Sequence, residues 1–321
     1  MHDTVFAIGN PAAGGGRGGK VLAAVERVTR SRRDVVVRAT RGPGDETELA
    51  KRAIANGARA LIAVGGDGTW SKVAAALLQG ERRPPLALIA AGTGNDFAKT
   101  VGAPAHDIQR TLALIDDGET RRVDSGAVEG RFFLVSCGFG FDTAVLRRMQ
   151  SVRRLRGSAR YVYAALRELR AYDGFDVVVA GESGGGPLAH ESRRLLLLVI
   201  ANGRHYGGAF KIAPHADLAD GMLDGIALAP ARTLARAGLL LAAMRGTHVR
   251  SPAVREWQRP RFDLLFATPP TYNLDGDLYQ ARSRALRVEC LPGALEVVAP
   301  NPDQAGQGAA RSTQRRSALP Y

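Results

Sequence analysis

A glycine-rich turn between a predicted strand and a predicted helix constrains this chain more than any other feature. The apolar residues 60–64 are typical of a buried strand, and residues 65–69 (Gly-Gly-Asp-Gly-Thr) follow them directly. Residues 73–78 then have the composition of a helix. Glycines lack a Cβ atom, so the backbone N–H groups of such a turn can approach phosphate oxygens. A tight turn without a ligand is the alternative for this segment taken alone.

Two further glycine-rich loops follow predicted strands. Residues 10–19 come after the strand at 5–8 and include Arg17, whose guanidinium can bind a phosphate. Residues 92–97 come after the strand at 86–90, and Asn95 or Asp96 is suited to cap the helix that follows. In an open α/β sheet, ligands bind where the carboxyl ends of the strands meet. We therefore expect the three loops to form one nucleotide pocket, although none carries the lysine of a P-loop.

The hydrophobic pattern divides the chain into an α/β half and a β-rich half. In the first half strands alternate with helices, which is typical of a doubly wound parallel sheet. After residue 126 short β segments predominate, with helices near 151–172 and 231–245, and residues 181–186 have the composition of a hairpin or loop. We expect an α/β domain at 1–126, a β-rich domain at 127–300 and a disordered tail at 301–321. The strands and helices expected in the first half lie near residues 4–8, 18–30, 34–38, 45–56, 60–64, 70–79 and 86–90.

The composition is that of a basic globular protein of two domains, with 321 residues and a net charge of +13. This charge is compatible with anionic lipids and phosphorylated ligands. A basic residue near an anionic leaflet contributes about 1 kcal/mol, so an arginine cluster predicts peripheral contact with a membrane. A solvated helix face is the alternative, and nucleic acid is not expected because aromatic residues are not interleaved with the arginines. The cluster consists of Arg147, Arg148, Arg153, Arg154, Arg156 and Arg160.

The cysteines and the apolar runs indicate the compartment. Cys137 and Cys290 are too few for a disulfide framework, which favours a reducing compartment. The first residues lack the pattern of a signal peptide. The longest apolar runs, at 195–201 and 239–244, are much shorter than the roughly 20 residues of a membrane-spanning helix. We expect a cytoplasmic protein, soluble or peripherally bound to a membrane.

In their order along the chain, these motifs resemble those of the diacylglycerol kinase catalytic-domain family. The resemblance covers about residues 4–300 and implies transfer of a phosphoryl group from ATP to a lipid hydroxyl. It also implies a nucleotide-binding α/β domain, a β-rich sandwich-like domain and an active site in the cleft between them. The motifs are Asn10-Pro11, the loops at 65–69 and 92–97, residues 138–142 (Gly-Phe-Gly-Phe-Asp), Asn202-Gly203, Tyr206-Gly207-Gly208, residues 214–224 and Asp275-Gly276-Asp277.

The resemblance also implies roles for individual residues. Asp275 takes the position of the proton acceptor, although Asp-Gly by itself is a strong hairpin signal. Asp217, Asp220 and Met222 fall on a structural magnesium site, where Asp217 and Met222 act through backbone carbonyls; a capped acidic turn is the alternative. The expected nucleotide-binding residues are Asn10, Arg17, Thr40, Gly65, Gly66, Asp67, Gly68, Thr69, Trp70, Ser71, Thr93, Asn95 and Asp96.

Carboxylates in the predicted cleft are candidate ligands of Mg²⁺, because this cation prefers oxygen ligands. Asp67, Asp96 or Asp124 can bind it directly or through water, and Asp277 is a further candidate. The chain departs from the family pattern at Lys72, where a glutamate is usual, at Ala75, where an asparagine is usual, and at Asp277, where the triplet usually ends in glutamate. These departures concern the nucleotide side and the reach to the metal.

Three functions agree with these motifs. The first is an ATP- and Mg²⁺-dependent lipid kinase that acts on diacylglycerol or a related lipid, as a monomer or a homodimer. The second is a kinase of a soluble substrate of the NAD-kinase type, against which the motif order of the second half argues. The third is a non-catalytic, nucleotide-dependent regulator that binds membranes, which Lys72 and Ala75 leave open.

Overall fold

The structure, a computed structural model, describes residues 3–152, 157–180 and 193–301. The first half alternates strands with helices, as the hydrophobic pattern predicts. Its elements are β1 (Val5–Gly9), α1 (Ala13–Val28), β2 (Val35–Ala39), α2 (Asp45–Ala55), β3 (Ala60–Gly65), α3 (Asp67–Gln79), β4 (Leu86–Ala90), α4 (Asp96–Val101) and α5 (Ile108–Asp116).

The four strands of this half form a parallel sheet in the order β2-β1-β3-β4. Every residue of β3 and β4 is buried, because helices cover both faces of the sheet. Trp70 and Leu77 of α3 pack on one face, and Leu22 of α1 with Leu112 of α5 pack on the other. This is the predicted doubly wound arrangement.

The second half is rich in β-structure and contains three further α-helices among the described residues. A 3-10 helix (His248–Arg250) precedes β12. The other elements are β5 (Thr120–Val128), β6 (Arg131–Phe133), β7 (Ser136–Gly140), α6 (Phe141–Ser151), α7 (Gly157–Ala171), β8 (Phe175–Val179), β9 (Arg193–Leu195), β10 (Leu197–Ala201), β11 (Leu223–Leu228), α8 (Thr233–Arg245), β12 (Val254–Arg259), β13 (Arg261–Phe266), β14 (Thr271–Leu274), β15 (Asp277–Gln280) and β16 (Ala285–Val298).

Two sheets sandwich the core of this half. One sheet has the order β12-β11-β10-β7-β14-β15, and the other contains β16, β13, β8 and β9 with β5 and β6 beside β16. Phe139, Leu198 and Tyr272 of the first sheet pack against Phe262 and Val288 of the second. The sandwich-like domain predicted for the C-terminal half is therefore present.

The long strand β16 joins the two halves. It pairs antiparallel with β5 and β13 and reaches β4 through Val297 and Leu86, so the parallel sheet continues into the sandwich. The boundary expected after residue 126 falls inside β5, and this division of the chain stays a prediction. The hairpin expected at 181–186 lies outside the described residues, as does the expected tail except for Asn301.

The helical segment of the second half begins earlier than the hydrophobic pattern suggests. Helix α6 starts directly after β7, at Gly140 with a φ of 90°, and α7 follows it. A sharp turn of this kind joins a strand to a helix without a loop, so no polar linker marks the boundary in the sequence. Within the described residues, no helix has both the length and the apolar character required to cross a membrane.

Candidate active site

The three glycine-rich loops lie side by side at one edge of the parallel sheet, because β1, β3 and β4 are neighbours. The amide of Gly92 donates to the carbonyl of Gly65 at 3.1 Å. A Cβ atom added to Gly92 would lie 2.5 Å from the Cα atom of Gly66. The second and third loops therefore touch backbone to backbone, and only glycine is small enough for this contact.

Arg17 links the first loop to the third. Its Nη2 donates to the carbonyl of Gly92 at 2.8 Å and approaches Thr93 Oγ1 at 3.4 Å. Gly14, Gly15 and Gly16 have φ values of 58°, 71° and 97°, so α1 becomes regular only after them. The loop thus exposes backbone groups beside a fixed guanidinium, an arrangement suited to an anion.

Asp67, and not Asn95 or Asp96, caps helix α4. The Oδ1 atom of Asp67 accepts from the amide of Phe97 at 3.0 Å. Asn95 lies in the left-handed region with a φ of 55°, and its side chain makes no capping bond. Its Nδ2 instead donates to the carbonyl of Gly92 at 3.3 Å. The predicted cap was wrong because the left-handed backbone of Asn95 turns its side chain back into the loop.

Asp67 and Asp96 form a pair of carboxylates between the second and third loops. A Cβ atom at Gly94 would lie 3.1 Å from Oδ2 of Asp67 and 3.2 Å from Oδ2 of Asp96. Burial raises the pKa of Asp67, and the charge of Asp96 adds to this effect. Lys99 Nζ lies 3.3 Å from Asp96 Oδ1, and the Gly208 amide donates to Oδ2 at 2.8 Å. A cation between the two carboxylates would relieve their repulsion.

Two buried oxygen atoms beside the loops have no hydrogen-bond partner among the described residues: Asn95 Oδ1 and Glu46 Oε2. The other oxygen of Glu46 accepts from Asn10 Nδ2 at 2.9 Å, so this carboxylate borders the first loop. Buried polar atoms are nearly always paired. A ligand with hydroxyl or amino donors, such as a nucleoside, would satisfy both atoms.

The structure places the remaining residues expected at the nucleotide in different surroundings. The Thr40 amide donates to the last carbonyl of β1 at 2.8 Å, which keeps Thr40 beside the first loop. The Thr69 side chain packs directly against Gly65, since a Cβ atom added to Gly65 would lie only 2.4 Å from Thr69 Oγ1. The Trp70 side chain is fully buried and donates to the Ala63 carbonyl at 3.0 Å. The Trp70 side chain therefore belongs to the core of the domain, and a contact of the Trp70 backbone with the nucleotide stays a prediction.

Asp275 occupies the tight turn between β14 and β15 and faces into the protein. Its φ is 48°, which is unusual for a residue other than glycine, and Gly276 follows with a φ of 100°. Three amides donate to its carboxylate: Leu134 at 2.7 Å, Val135 at 2.9 Å and Ser136 at 3.0 Å. The segment is therefore a hairpin turn, and its aspartate is held in one orientation.

The Ser71 side chain, in the first turns of α3, lies close enough to the carboxylate of Asp275 to affect its pKa. Burial raises the pKa of Asp275 to about 6, while the amides and the Ser71 hydroxyl act in the lowering direction. A carboxylate of this kind is ionised at neutral pH and is basic enough to accept a proton. Asp275 thus lies beside the first turns of α3, the helix that begins at the second glycine-rich loop.

Asp277 reaches the same helix from the second half of the chain. Its Oδ2 lies 3.9 Å from Lys72 Nζ, and both side chains are more than a third exposed. The ion pair is weak because water surrounds it. Two positions at which the chain departs from the family pattern therefore lie opposite one another across the cleft.

Asp124 connects loops of the second half and is not part of the carboxylate pair. It is buried, and its Oδ2 accepts from the Gly221 amide at 2.7 Å while its Oδ1 accepts from the Gly293 amide at 2.7 Å. Asp67 and Asp96 come together between the glycine-rich loops, whereas Asp124 is bonded to loops of the second half of the chain. A catalytic role of Asp124 stays a prediction.

The predicted structural metal site at residues 217–222 is an acidic turn. Asp217 Oδ1 accepts from the Ala219 amide at 3.1 Å, and Asp220 Oδ1 accepts from the Met222 amide at 2.9 Å. Among residues 3–152, 157–180 and 193–301, no three His, Cys, Asp or Glu side chains come together as metal ligands. The expected site uses the backbone carbonyls of Asp217 and Met222, so it stays a prediction.

A buried polar cluster that was not assigned from the sequence lies behind Asp275. Asp142 Oδ2 accepts from Tyr206 Oη at 2.8 Å and from Asn273 Nδ2 at 3.2 Å. Burial raises the pKa of Asp142, against the lowering effect of these two partners. Asn273 Oδ1 accepts from the Gly276 amide at 2.7 Å and so connects the cluster to the Asp275 turn. The Gly-Phe-Gly-Phe-Asp motif at 138–142 was the signal in the sequence that pointed to Asp142. The spacing of the motif does not reveal the hydrogen-bond partners of Asp142.

The cluster closes one end of a mainly apolar cavity of about 90 Å³. Asp142 and Tyr206 are its polar end, and aliphatic side chains of β10, β11, α7 and α8 form most of the remaining wall. This volume is below the roughly 300–1,000 Å³ of typical ligand pockets, so the cavity suits a short stretch of alkyl chain with a polar group at its inner end. The apolar wall includes Leu169, Leu196, Leu197, Ile226, Leu228, Leu239 and Leu240.

A wider cleft of about 590 Å³ lies between α6, α7 and the end of β13, and two arginines of the predicted membrane cluster line it. Arg148 is paired with Glu168, and Arg147 donates to Thr271 Oγ1. Both arginines therefore have partners within the protein, although Arg147 stays exposed and Arg148 is half-buried. Arg153, Arg154 and Arg156, as well as the Arg160 side chain, lie outside the described part of the chain, and the role of the cluster stays a prediction.

The two halves match two family models. Residues 4–128 match the diacylglycerol kinase catalytic domain, and residues 135–299 match the YegS C-terminal NAD kinase beta sandwich-like domain. The chain is 34% identical over 283 residues to a "Probable lipid kinase YegS-like" of Pseudomonas aeruginosa (strain UCBPP-PA14), covering 88% of this chain and 90% of that protein. A protein of the same description from Xanthomonas oryzae pv. oryzae is 30% identical over 278 residues, covering 83% of this chain and 86% of that protein.

Solved structures share the fold at lower sequence identity. A diacylglycerol kinase from Bacillus anthracis str. Sterne superimposes with a TM-score of 0.68 at 20% identity, covering 94% of this chain and 98% of that one. Yeast NADH kinase in complex with NADH superimposes with a TM-score of 0.56 at 11% identity, covering 100% and 90% of the two chains. Both likenesses concern the fold alone.

Proposed function

Because this chain belongs to the lipid kinase family that combines a diacylglycerol kinase catalytic domain with a YegS-type C-terminal domain, we propose that it transfers the γ-phosphate of ATP to a hydroxyl group of diacylglycerol or a related lipid. One observation carries the proposal. The carboxylate of Asp275 lies beside the Ser71 side chain, in the helix that begins at the second glycine-rich loop. The turn that holds Asp275 is bonded to Asn273, whose Nδ2 donates to Asp142 and Tyr206 at the polar end of the apolar cavity.

The glycine-rich loops are the proposed nucleotide site. Backbone amides of the loops and the Arg17 guanidinium supply donors to phosphate oxygens. The unpaired oxygens of Asn95 and Glu46 supply acceptors for the donors of a nucleoside. Asp67 and Asp96 suit Mg²⁺, which proteins usually bind through one or two carboxylates together with substrate phosphates. Mg²⁺ would neutralise phosphate charge there.

Asp275 is the proposed general base. With a pKa of about 6 it is ionised at neutral pH, and the three backbone amides hold its carboxylate in place. As the lipid hydroxyl oxygen forms its bond to the γ-phosphorus of ATP, the bond from that phosphorus to the β–γ bridging oxygen breaks and ADP departs. Asp275 takes the hydroxyl proton. Asp277, which is more exposed, is proposed to assist at the metal.

The apolar cavity is the proposed site for part of the lipid. Its aliphatic wall removes alkyl surface from water, and the Asp142–Tyr206–Asn273 cluster can accept or donate a hydrogen bond at the inner end. The bond between Asn273 and the Gly276 amide connects that end to the catalytic turn. The wall is mainly aliphatic, although Arg236 and His248 also line it, and the cavity of about 90 Å³ is too small for a dinucleotide, which favours a lipid over the NAD-kinase alternative.

A labelling experiment tests the proposal against both alternatives. The purified full chain is incubated with γ-labelled ATP, Mg²⁺ and a panel of diacylglycerol, monoacylglycerol, phosphatidylglycerol and sphingoid base in detergent micelles, with NAD in a parallel tube. The proposal predicts label in the organic phase and a phosphorylated lipid by mass spectrometry. Label only in a soluble product would support the NAD-kinase type, and the absence of transfer under all conditions would support a non-catalytic regulator.

A further inference from the structure

Exposed apolar side chains gather on two neighbouring helices, α7 and α8. Six large hydrophobic side chains are exposed among the described residues, and five of them belong to these helices. Leu166 of α7 is 63% exposed, while Leu234 and Leu241 of α8 are 88% and 60% exposed. Tyr163 and Met244 complete the group. Scattered single exposed leucines are ordinary, but a group of this size on adjacent helices indicates an interaction surface.

Arginines surround the apolar side chains. Arg167 and Arg170 of α7, and Arg232 and Arg245 at the two ends of α8, are all exposed. None of the four makes an ion pair with a described residue. Helix α8 contains no acidic residue, and Glu168, the acidic residue of α7, is buried and paired with Arg148. The surface is therefore apolar and cationic at once, which matches an anionic bilayer in both respects.

The inner faces of the same two helices line the apolar cavity. Leu169 of α7 and Leu239 and Leu240 of α8 form part of its wall. Arg236 ties the helices together, because its Nη1 donates to the Leu169 carbonyl at 2.9 Å and to the Tyr172 carbonyl at 2.7 Å. The exposed apolar surface is thus separated from the cavity by one layer of helix.

We propose that the outer faces of α7 and α8, which we name the α7–α8 surface (Tyr163, Leu166, Arg167, Arg170, Arg232, Leu234, Leu241, Met244 and Arg245), dock on an anionic lipid bilayer. The argument for docking uses only the exposure of the apolar side chains and the positive charge around them, and it does not depend on the proposed function. Its consequence for catalysis, that a lipid enters the cavity without passing through bulk water, rests on the proposed function. A second copy of the chain is a poorer occupant, because a symmetric contact would bring the arginines of both copies together.

Vesicle co-sedimentation tests the docking independently of activity. The full chain is pelleted with vesicles of phosphatidylcholine alone or with phosphatidylglycerol added, at low and high salt. We expect binding to the anionic vesicles that weakens with salt. Leu234→Gln with Leu241→Gln should lower binding at least about tenfold, because two apolar side chains no longer leave water. Arg232→Gln with Arg245→Gln should lower it by about fivefold per arginine and reduce the salt dependence.

Matched controls lie elsewhere on the surface. Leu265, the sixth exposed hydrophobic residue, lies on β13, and Arg82 is exposed beyond the end of α3. Leu265→Gln and Arg82→Gln should bind vesicles like the unmodified chain, with circular dichroism confirming that every variant is folded. Binding that is absent, or equally reduced in the controls, overturns the proposal. So does a loss of self-association in the α7–α8 variants, measured by sedimentation velocity, without any loss of vesicle binding.

Activity measurements separate this proposal from the proposed function. With a short-chain, water-soluble diacylglycerol, the α7–α8 variants should retain the unmodified rate, since none of the changed residues lines the cavity. With long-chain diacylglycerol in anionic vesicles, their rate should fall in parallel with binding. Vesicle binding that persists in a chain without kinase activity would support docking and contradict the proposed function alone. An unchanged rate on vesicles despite lost binding would overturn the consequence for lipid entry.

Discussion

The side chain of Ser71 lies beside the carboxylate of Asp275, so two distant parts of the sequence meet there. Ser71 lies in α3, one turn beyond Asp67 of the second glycine-rich loop, whereas Asp275 is held in the turn between β14 and β15. This contact places a buried carboxylate at the edge of the proposed phosphate site. The Ser71 side chain also lowers the pKa of that carboxylate, so the contact can be tested through the pH dependence of catalysis.

The pH dependence of lipid phosphorylation should report the ionisation of Asp275. A general base works in its ionised form, so kcat/KM for the lipid should rise with pH through about 6 and then level off. Ser71→Ala removes the hydroxyl that lowers this pKa, and we therefore expect its acid limb to move to higher pH. Ser283→Ala, in an exposed turn, is the matched control. An acid limb that does not move in Ser71→Ala contradicts the assignment.

Two substitutions at Asp67 should separate its charge from its capping bond. Asp67→Asn keeps an oxygen that can accept from the Phe97 amide, whereas Asp67→Ala loses both bond and charge. In calorimetry with ATP and Mg²⁺, both variants should bind nucleotide at least about tenfold more weakly, a change of about 1.4 kcal/mol. Only Asp67→Ala should lose about 1 kcal/mol of unfolding free energy in urea. Unchanged nucleotide affinity in Asp67→Asn would remove the carboxylate from the nucleotide site.

Tyr206→Phe tests the proposed lipid site. The change removes the hydroxyl that donates to Asp142 at 2.8 Å and accepts from Asn273 at 3.0 Å. It should also raise the pKa of Asp142 further, because the Tyr206 hydrogen bond lowers it. We expect kcat/KM for the lipid to fall about tenfold while KM for ATP stays constant, since a hydrogen bond to a charged group contributes about 1.5–3 kcal/mol. A parallel change in KM for ATP would place the cluster on the nucleotide side instead.

The Lys72–Asp277 pair should affect the metal requirement more than stability. Both side chains are exposed enough that the pair contributes below about 1 kcal/mol to unfolding free energy. If Asp277 assists Mg²⁺, Asp277→Asn should raise the Mg²⁺ concentration for half-maximal rate. Lys72→Gln should lower it, because a competing cation is removed. Initial rates over a Mg²⁺ titration measure both effects, and identical titration curves for the two variants would exclude Asp277 from the metal.

Local patterns in the sequence predicted much of the fold. The strands of the parallel sheet were predicted within one residue at most ends, because apolar runs such as 60–64 are bounded by glycine-rich turns. The loops could be assigned to one edge because parallel strands present their carboxyl ends together. Asp-Gly at 275–276 likewise predicted a hairpin turn, and the structure has one there.

Contacts between distant segments could not be predicted in the same way. The cap of α4 comes from Asp67 in another loop, and the partners of Asp142 come from β14 and from residue 206. Such contacts depend on how the sheets pack against each other, and the local hydrophobic pattern of the sequence does not reveal them. Trp70 is a further case, since its place in the core depends on the carbonyl of Ala63 in β3.

The central claim, that Asp275 accepts the proton of the lipid hydroxyl, is tested most directly by Asp275→Asn in the full chain. The measurement pairs the rate of label transfer from ATP to diacylglycerol with calorimetric binding of ATP. The matched control is Asp263→Asn, at a half-buried aspartate of β13 that is paired with Arg261 and Arg287. The account predicts that Asp275→Asn lowers kcat at least about 100-fold while its affinity for ATP stays within about twofold. Lipid phosphorylation by Asp275→Asn at the rate of the Asp263→Asn control would contradict it.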